Sequence, residues 1–294
     1  MRPIRDMETI QIEITNACVL SCSNCTRLCG HHPDPFFMTL EEFDIAVDSL
    51  LTFPKMIGVM GGEPLIHPQF DEICRRLHAK IPPERCGLWT TFPEGFERHA
   101  DVIVETFGNI LLNDHTREDV FHGPILVTSR EHMKEIDIHY AAHHCSYQNC
   151  WSASITPRGA YFCEVAAALD TVLQTEQAWD VEPGWWLRSP FHFASQIEAF
   201  CTNCGGAMRC AARKDTEEKD DISPAWVVRL QQYGSPKMQK GKFEVFRGSP
   251  FSNQAPINTF RGDFNYFRKV ASKYGLDVIR QPTGYLRPIH ASSS

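Results

Sequence analysis

The chain has 294 residues, 43% hydrophobic and 22% charged, with a formal net charge of −7, the balance of a globular protein with room for a sizeable core. The negative charge, with no run of about five Lys/Arg, argues against nucleic acid or an anionic membrane as the main partner. No stretch of about 18 apolar residues predicts a membrane span, and Asp6 and Glu8 interrupt the N-terminus where a signal peptide needs an apolar run, so a cytoplasmic location is expected.

IQIEIT (10–15) alternates apolar and polar as a strand does. TLEE from Thr39 is a capping box opening a helix with Phe43, Ala46, Val47 and Leu50 on one face. KMIGVM (55–60) predicts a buried strand, and Pro68 opens a helix with Phe70, Ile73, Cys74 and Leu77. CGLWTTF (86–92) is a third strand, followed by a helix near 94–107, and NILLND (109–114) and PILVTS (124–129) predict a fourth and a fifth strand. Strands alternating with helices imply parallel βαβ units and an α/β sheet; five units suit an open or partial barrel, with ligands gathered at the C-terminal strand ends. Beyond about residue 136 the periodicity weakens while Cys, His, Trp and Pro rise. SASITPRGAYFC (152–163) predicts a hairpin, SPAWVVRLQQYG (223–234) and RGDFNYFRKVASKYG (261–275) predict short helices ending at glycines, and the tail HASSS is expected to be disordered.

Twelve cysteines in a reducing compartment point to metal binding or catalysis rather than disulfides. Cys18, Cys22 and Cys25 form C-x3-C-x2-C just after the first strand. Three thiolates on one loop suit three irons of a [4Fe–4S] cluster, leaving the fourth open. A zinc site instead wants a fourth ligand, which His31 or His32 would supply. Cys29 reads as a small neighbour. MGGEP (60–64) follows the next strand: Gly61 and Gly62 permit close backbone approach, Glu63 can accept from an amino group, and Pro64 completes the turn.

This pairing of motifs resembles the radical S-adenosylmethionine superfamily, over roughly residues 8–130. The resemblance implies that Cys18, Cys22 and Cys25 ligate a [4Fe–4S] cluster. It also implies that Gly61, Gly62, Glu63 and Pro64 bind S-adenosylmethionine on its open iron, and that reductive cleavage yields a 5′-deoxyadenosyl radical. Asn113 or Asp114, in ILLND, resembles the ribose-contacting position. The residue before the third cysteine is often aromatic in the family and is Asn24 here.

Six cysteines follow: Cys145, Cys150, Cys163, Cys201, Cys204 and Cys210. A cysteine-bearing hairpin followed by CTNCGGAMRC resembles the SPASM or twitch auxiliary-cluster modules of the same superfamily, although Lys214 stands where the longer form has a further cysteine. About eight thiolates would be needed for two fully ligated clusters. One auxiliary [4Fe–4S] cluster is therefore expected, on Cys163, Cys201, Cys204 and one of Cys145 or Cys150, with Cys210 a substitute and zinc the rival metal. The implied organisation is a radical SAM partial barrel (1–140), a SPASM/twitch-like module (141–235) and a C-terminal extension (236–294).

His139, His143 and His144 read as loop residues with a ligand role as the alternative. GWWLRSPFHF (184–193) reads as a pocket wall or a satellite core, and Arg158 and Arg188 as possible anion contacts. The resemblance implies a small polar substrate such as a sugar, nucleoside or amino-acid derivative, and an electron donor such as flavodoxin or ferredoxin. A peptide or protein side chain is the second option, and a non-catalytic zinc-binding adaptor the distant one.

Overall fold

The computed structural model describes residues 1–208, 210–248, 264–281 and 285–289, without the side chains of 264–267. Strand β1 (Thr9–Thr15) buries all seven of its residues, so its polar face is as enclosed as its apolar one. The chain continues through α1 (Leu40–Ser49), β2 (Met56–Gly61), α2 (Phe70–Lys80), β3 (Cys86–Thr90), α3 (Ala100–Thr106), β4 (Asn109–Leu112) and the short β5 (Phe121–His122). Then come α4 (Glu135–His143), α5 (Ser146–Cys150), the hairpin β6 (Ala153–Thr156) and β7 (Gly159–Tyr161), α6 (Glu164–Leu173) and α7 (Ala194–Phe200). The last elements are β8 (Arg213–Lys214), β9 (Asp220–Ile222), α8 (Pro224–Tyr233), α9 (Pro236–Gln239), β10 (Phe243–Val245), α10 (Phe264–Lys273), β11 (Val278–Arg280) and β12 (Leu286–Pro288).

Eight strands form one open, mostly parallel sheet in the order β11-β12-β4-β3-β2-β1-β6-β7. The run β4-β3-β2-β1-β6 is parallel, while β7, β12 and β11 join it antiparallel. Register aligns Ile12 with Val59, Val59 with Leu88 and Leu88 with Ile110. That apolar row packs in the core with Phe43 and Val47 of α1, Phe70, Ile73 and Leu77 of α2, and Ile103 of α3. The opposite face pairs Gln11 with Gly58 and Gly58 with Gly87; Trp89 lies over both glycines, where added Cβ atoms would meet its ring at 2.5 and 2.8 Å.

The capping box forms: the Glu42 N–H donates to Thr39 Oγ1 at 3.2 Å and the Thr39 N–H to Glu42 Oε2 at 2.7 Å. Helix α8 ends at Gly234 in the left-handed region (φ 80°), and Gly275 (φ 68°) follows α10. Residues 261–263 and the HASSS tail lie outside the described residues. Among the described residues no helix is long and apolar enough to cross a membrane. Two expectations are corrected. The helix near 94–107 is confined to α3, after a 3-10 turn at Glu97–His99. The run 124–129 is not a strand: Ile125, Leu126 and Val127 are buried, but the carbonyls of Ile125 and Leu126 accept from Gly205 and Ser223. Beside β4 the sheet position is taken by β12, through Leu286 opposite Ile110. A buried apolar run fits either arrangement, because periodicity does not distinguish a central strand from a buried loop.

The glycines after β2 have a steric role. The Gly62 N–H donates to Thr15 O and the Glu63 N–H to Ala17 O, both at 2.8 Å. A Cβ on Gly61 would stand 2.0 Å from Thr15 O, and one on Gly62 2.0 Å from Ala17 O. Gly62→Ala should therefore cost on the order of 3 kcal/mol, read as a drop in denaturant midpoint. Gly95→Ala, with open space around its Cβ but a positive φ, should cost about 1 kcal/mol.

Candidate active site

The loop leaving β1 carries Cys18, Cys22, Cys25 and Cys29, and all four line a cavity of about 320 Å³ together with Gly61, Gly62 and Asn113. Cys29 lies beside the sulfurs of Cys18 and Cys25, and their proximity with burial pushes its thiol well above the usual range. The neighbouring Cys29 thiol, with His122 and the Arg27 and Cys29 backbone, holds Cys25 well below the usual thiol range despite its burial. Burial, with the neighbouring charges of Cys25, Asp215 and Cys18, pushes Cys22 up. Cys29 is thus a partner of the motif, which its spacing did not reveal. Asn24 has φ 49°, a conformation Asn tolerates better than most residues. Its side-chain amide donates to the His122 carbonyl and to Asp221 Oδ2, and its Oδ1 accepts from the Asp221 N–H. It holds the loop in place.

Most of that clamp comes from residues about 190 positions further on. The Ser23 N–H donates to Asp215 O at 3.0 Å, and buried Lys237 reaches Cys22 O at 2.8 Å and Asp220 Oδ1 at 2.9 Å. His31 lies 2.7 Å from Ser235 Oγ and 2.6 Å from Asp220 Oδ2. His32 lies 3.2 Å from the Tyr233 hydroxyl and 3.4 Å from Arg27 O. Both candidate zinc-ligating histidines are therefore engaged in holding the loop. Asp215 bridges His115 (2.6 Å) and His122 (2.9 Å); burial notwithstanding, these two contacts hold its carboxyl below the usual range. Cys22, His115 and Asp215 offer ligand atoms within 4.8 Å of one another, a grouping not foreseen from sequence.

Glu63 is fully buried, and its carboxylate accepts from the Leu65 and Thr91 N–H groups and the Thr90 and Thr91 hydroxyls at 2.7–3.1 Å. Those four bonds fill the lone-pair sites of a carboxylate, so Glu63 braces the end of β3, while Gly61 and Gly62 form the cavity wall. Pro64 opens a buried 3-10 turn. Asn113 lines the cavity and pairs with His115 at 2.9 Å. Asp114 Oδ1 accepts from the Thr116 N–H and hydroxyl, closing a local turn.

The polar face of β1 supplies the other end of the cavity. Arg27 is 4% exposed, with Nη1 3.1 Å from Glu13 and Nη2 3.0 Å from Glu164; it also donates to Gln11. The Ser154 and Ser152 hydroxyls donate to Glu13 and Glu164 at 2.8 Å. Burial pushes the Glu13 carboxyl up, with Arg27 opposing. Trp89, Trp151 and Tyr285 are the aromatic walls. None of these residues was singled out from sequence; the visible signal was the strictly polar alternate face of IQIEIT.

Of the later cysteines, Cys145, Cys163, Cys201 and Cys204 line one small apolar cavity of about 30 Å³ with Phe162, Val165, Ala166, Leu169 and Phe200. Cys150 lines the large cavity instead, and Cys210 packs with Val127 and Met208. His144 pairs with Tyr140 O at 2.9 Å, and the His143 carbonyl accepts from the N-terminus at 2.8 Å. His139 shares an exposed group with Glu135 and Glu198. Trp185 and Phe193 sit in the core, while Phe191 is 95% exposed. Arg158 pairs with Asp170 at 2.7 Å and Arg188 stacks over Trp179. The 184–193 aromatics and both arginines are absent from the large cavity's lining.

No family model and no curated protein matches the sequence. Two solved structures are similar in backbone course. BtrN in complex with AdoMet and 2-DOIA is 13% identical with a TM-score of 0.46, covering 67% of this chain and 92% of that one. Selenomethionine BtrN in an open conformation is 13% identical with a TM-score of 0.41, covering 68% and 88%. Likeness at this level carries no chemistry across.

Burial holds His32 down at about 4, against an ordinary value of 6.5. Below 6.5 the unfolded chain takes up a proton that the folded one refuses, so stability falls as pH drops from about 6.5 towards 4. Between pH 7 and pH 5 the wild type should lose about 2 kcal/mol more than His32→Gln, measured by denaturant titration at both pH values.

Proposed function

We propose that this chain is a radical S-adenosylmethionine enzyme acting on a small polar metabolite. The observation that carries the reading is the convergence of the C-x3-C-x2-C loop and the glycine turn on the wall of one polar cavity. Three thiols from a single anchored loop, one of them held low by Cys29, fit a [4Fe–4S] cluster with one iron left open to the cavity. A cluster there, once reduced by an external electron donor and with S-adenosylmethionine on the open iron, would supply the electron that cleaves the cofactor to a 5′-deoxyadenosyl radical able to take hydrogen from substrate.

The chain's own residues have definable parts. Cys18, Cys22 and Cys25 hold the cluster. The backbone of Gly61 and Gly62 faces the cofactor, and Glu63 and Pro64 fix that turn; for Glu63 to take the amino group as well, its carboxylate must release one of its four present partners. Asn113 is the ribose candidate that faces the cavity, ahead of Asp114. Cys145, Cys163, Cys201 and Cys204 hold one auxiliary [4Fe–4S] cluster, since they share a cavity that Cys150 and Cys210 do not line. An electron donor such as flavodoxin or ferredoxin and a cytoplasmic setting complete the proposal. The cavity walls, with buried charges and aromatic faces, favour a small molecule over a peptide.

Iron and sulfide content after anaerobic reconstitution tests both sites. About eight irons per chain should fall to about four in the Cys18/Cys22/Cys25→Ala triple variant and, independently, in Cys145→Ala. Cys150→Ala and Cys210→Ala should keep about eight. Loss of iron in those two but not in Cys145→Ala would overturn the auxiliary assignment. Cys22→Ala should also abolish reductive formation of 5′-deoxyadenosine, and cleavage persisting there would sink the enzymatic reading.

A further inference from the structure

We propose that the buried group Arg27, Glu13 and Glu164 selects a substrate carrying an ammonium group on a hydroxylated frame, an amino-polyol. The inference rests on the reading of this cavity as the active site and names its substrate class.

Charge is the first observation. One guanidinium faces two carboxylates at 3.1 and 3.0 Å, all three side chains being at most 4% exposed. The formal count leaves one negative charge in excess where water scarcely reaches, the reason burial pushes the Glu13 carboxyl up, and an arriving cation would relieve it. The other charged groups around the cavity are already matched. Glu8 pairs with Arg2 and Lys55, Asp215 with His115 and His122, and Asp220 with Lys237 and His31. A [4Fe–4S]2+ cluster on three thiolates would carry a formal charge of about −1 and chelated S-adenosylmethionine about 0, so the loaded site would stay negative around Glu13 and Glu164.

Unfilled hydrogen bonds are the second, independent observation. Arg27 lines the cavity, yet its Nε has no hydrogen-bond acceptor, and its Nη1 meets Glu13 only as an ion pair at 3.1 Å, outside hydrogen-bond geometry. A buried donor without an acceptor is destabilising, and a ligand hydroxyl oxygen would satisfy it. A substrate carboxylate would not serve, because it would set a third negative group around one guanidinium. Gln11, Thr9 and Ser152 add polar groups on the same lining, and Trp89 and Trp151 offer apolar faces for a ring. The complement is one positive charge, several hydroxyls and a compact carbon frame.

The test is equilibrium binding to the reconstituted protein with S-adenosylmethionine, held anaerobic without reductant so that nothing turns over. The probes are matched pairs, glucosamine against glucose and 2-aminoethanol against ethylene glycol, with glucuronate as the anionic control. In at least one pair the amine should bind about tenfold more tightly than its neutral partner, with glucuronate weakest. Glu164→Gln and Glu13→Gln, which keep shape and hydrogen bonding, should each erase that preference. Equal binding within every pair, tighter glucuronate, or a preference surviving both substitutions would overturn the proposal. Iron content of the same samples separates this from the cluster assignment: absent iron sinks the radical reading, whereas the amine preference is judged on binding alone.

Discussion

The Arg27 guanidinium is the contact on which the cavity depends. It stands two residues after Cys25 and reaches Glu164, one residue after Cys163, as well as Glu13 on β1. A single side chain thus ties the first cysteine loop to the central strand and to the head of α6, where the second cysteine set begins. An exposed ion pair of this kind would be worth little. Buried, it acts differently: removing Arg27 would strand two carboxylates in a low-dielectric interior, so the guanidinium holds the two elements that carry them in one mutual arrangement.

That arrangement explains why both faces of β1 are buried. The apolar row Ile10, Ile12 and Ile14 packs under α1 and α2 in the usual manner. The polar row Thr9, Gln11 and Glu13 is enclosed because β6 and β7 extend the sheet past β1 and bring α6 with them. Glycines at 58 and 87 leave room on the same face for Trp89. The sheet therefore carries its core on one side and a polar chamber on the other, with both cysteine sets near the chamber's edge.

Much of this was legible in sequence, and the boundary of legibility has a physical cause. Local signals held: the Thr39 capping box, the four strands from β1 to β4, the hairpin turning at Pro157–Gly159, and the glycine closing α8 all depend on neighbours within a few residues. What failed or was missed depends on distant partners. The run 124–129 pairs with Gly205 and Ser223, Asn24 is explained only by Asp220, Asp221 and His122, and Lys237 becomes visible only once it is buried against Cys22 O. The motif glycines were legible as glycines, but their reason was not: Gly61 and Gly62 are required first by the carbonyls of Thr15 and Ala17.

The two cysteine sets differ in surroundings in a way that bears on chemistry. The first opens onto a polar cavity about ten times the volume of the second, whose other walls are mainly apolar side chains, with Tyr147 and Gln148 among them. An enclosed apolar shell excludes water and exchangeable ligands, which suits a centre that passes electrons and does not bind substrate. Cys150 lies between these regimes, five residues after Cys145 yet facing the large cavity. Arg27 and Glu164 span the interval between the sets, so a substrate bound to them stands against the proposed site of radical formation on one side. On the other, Glu164 follows Cys163 of the proposed auxiliary centre in the chain, an order that fits hydrogen removal at the first and electron transfer to the second.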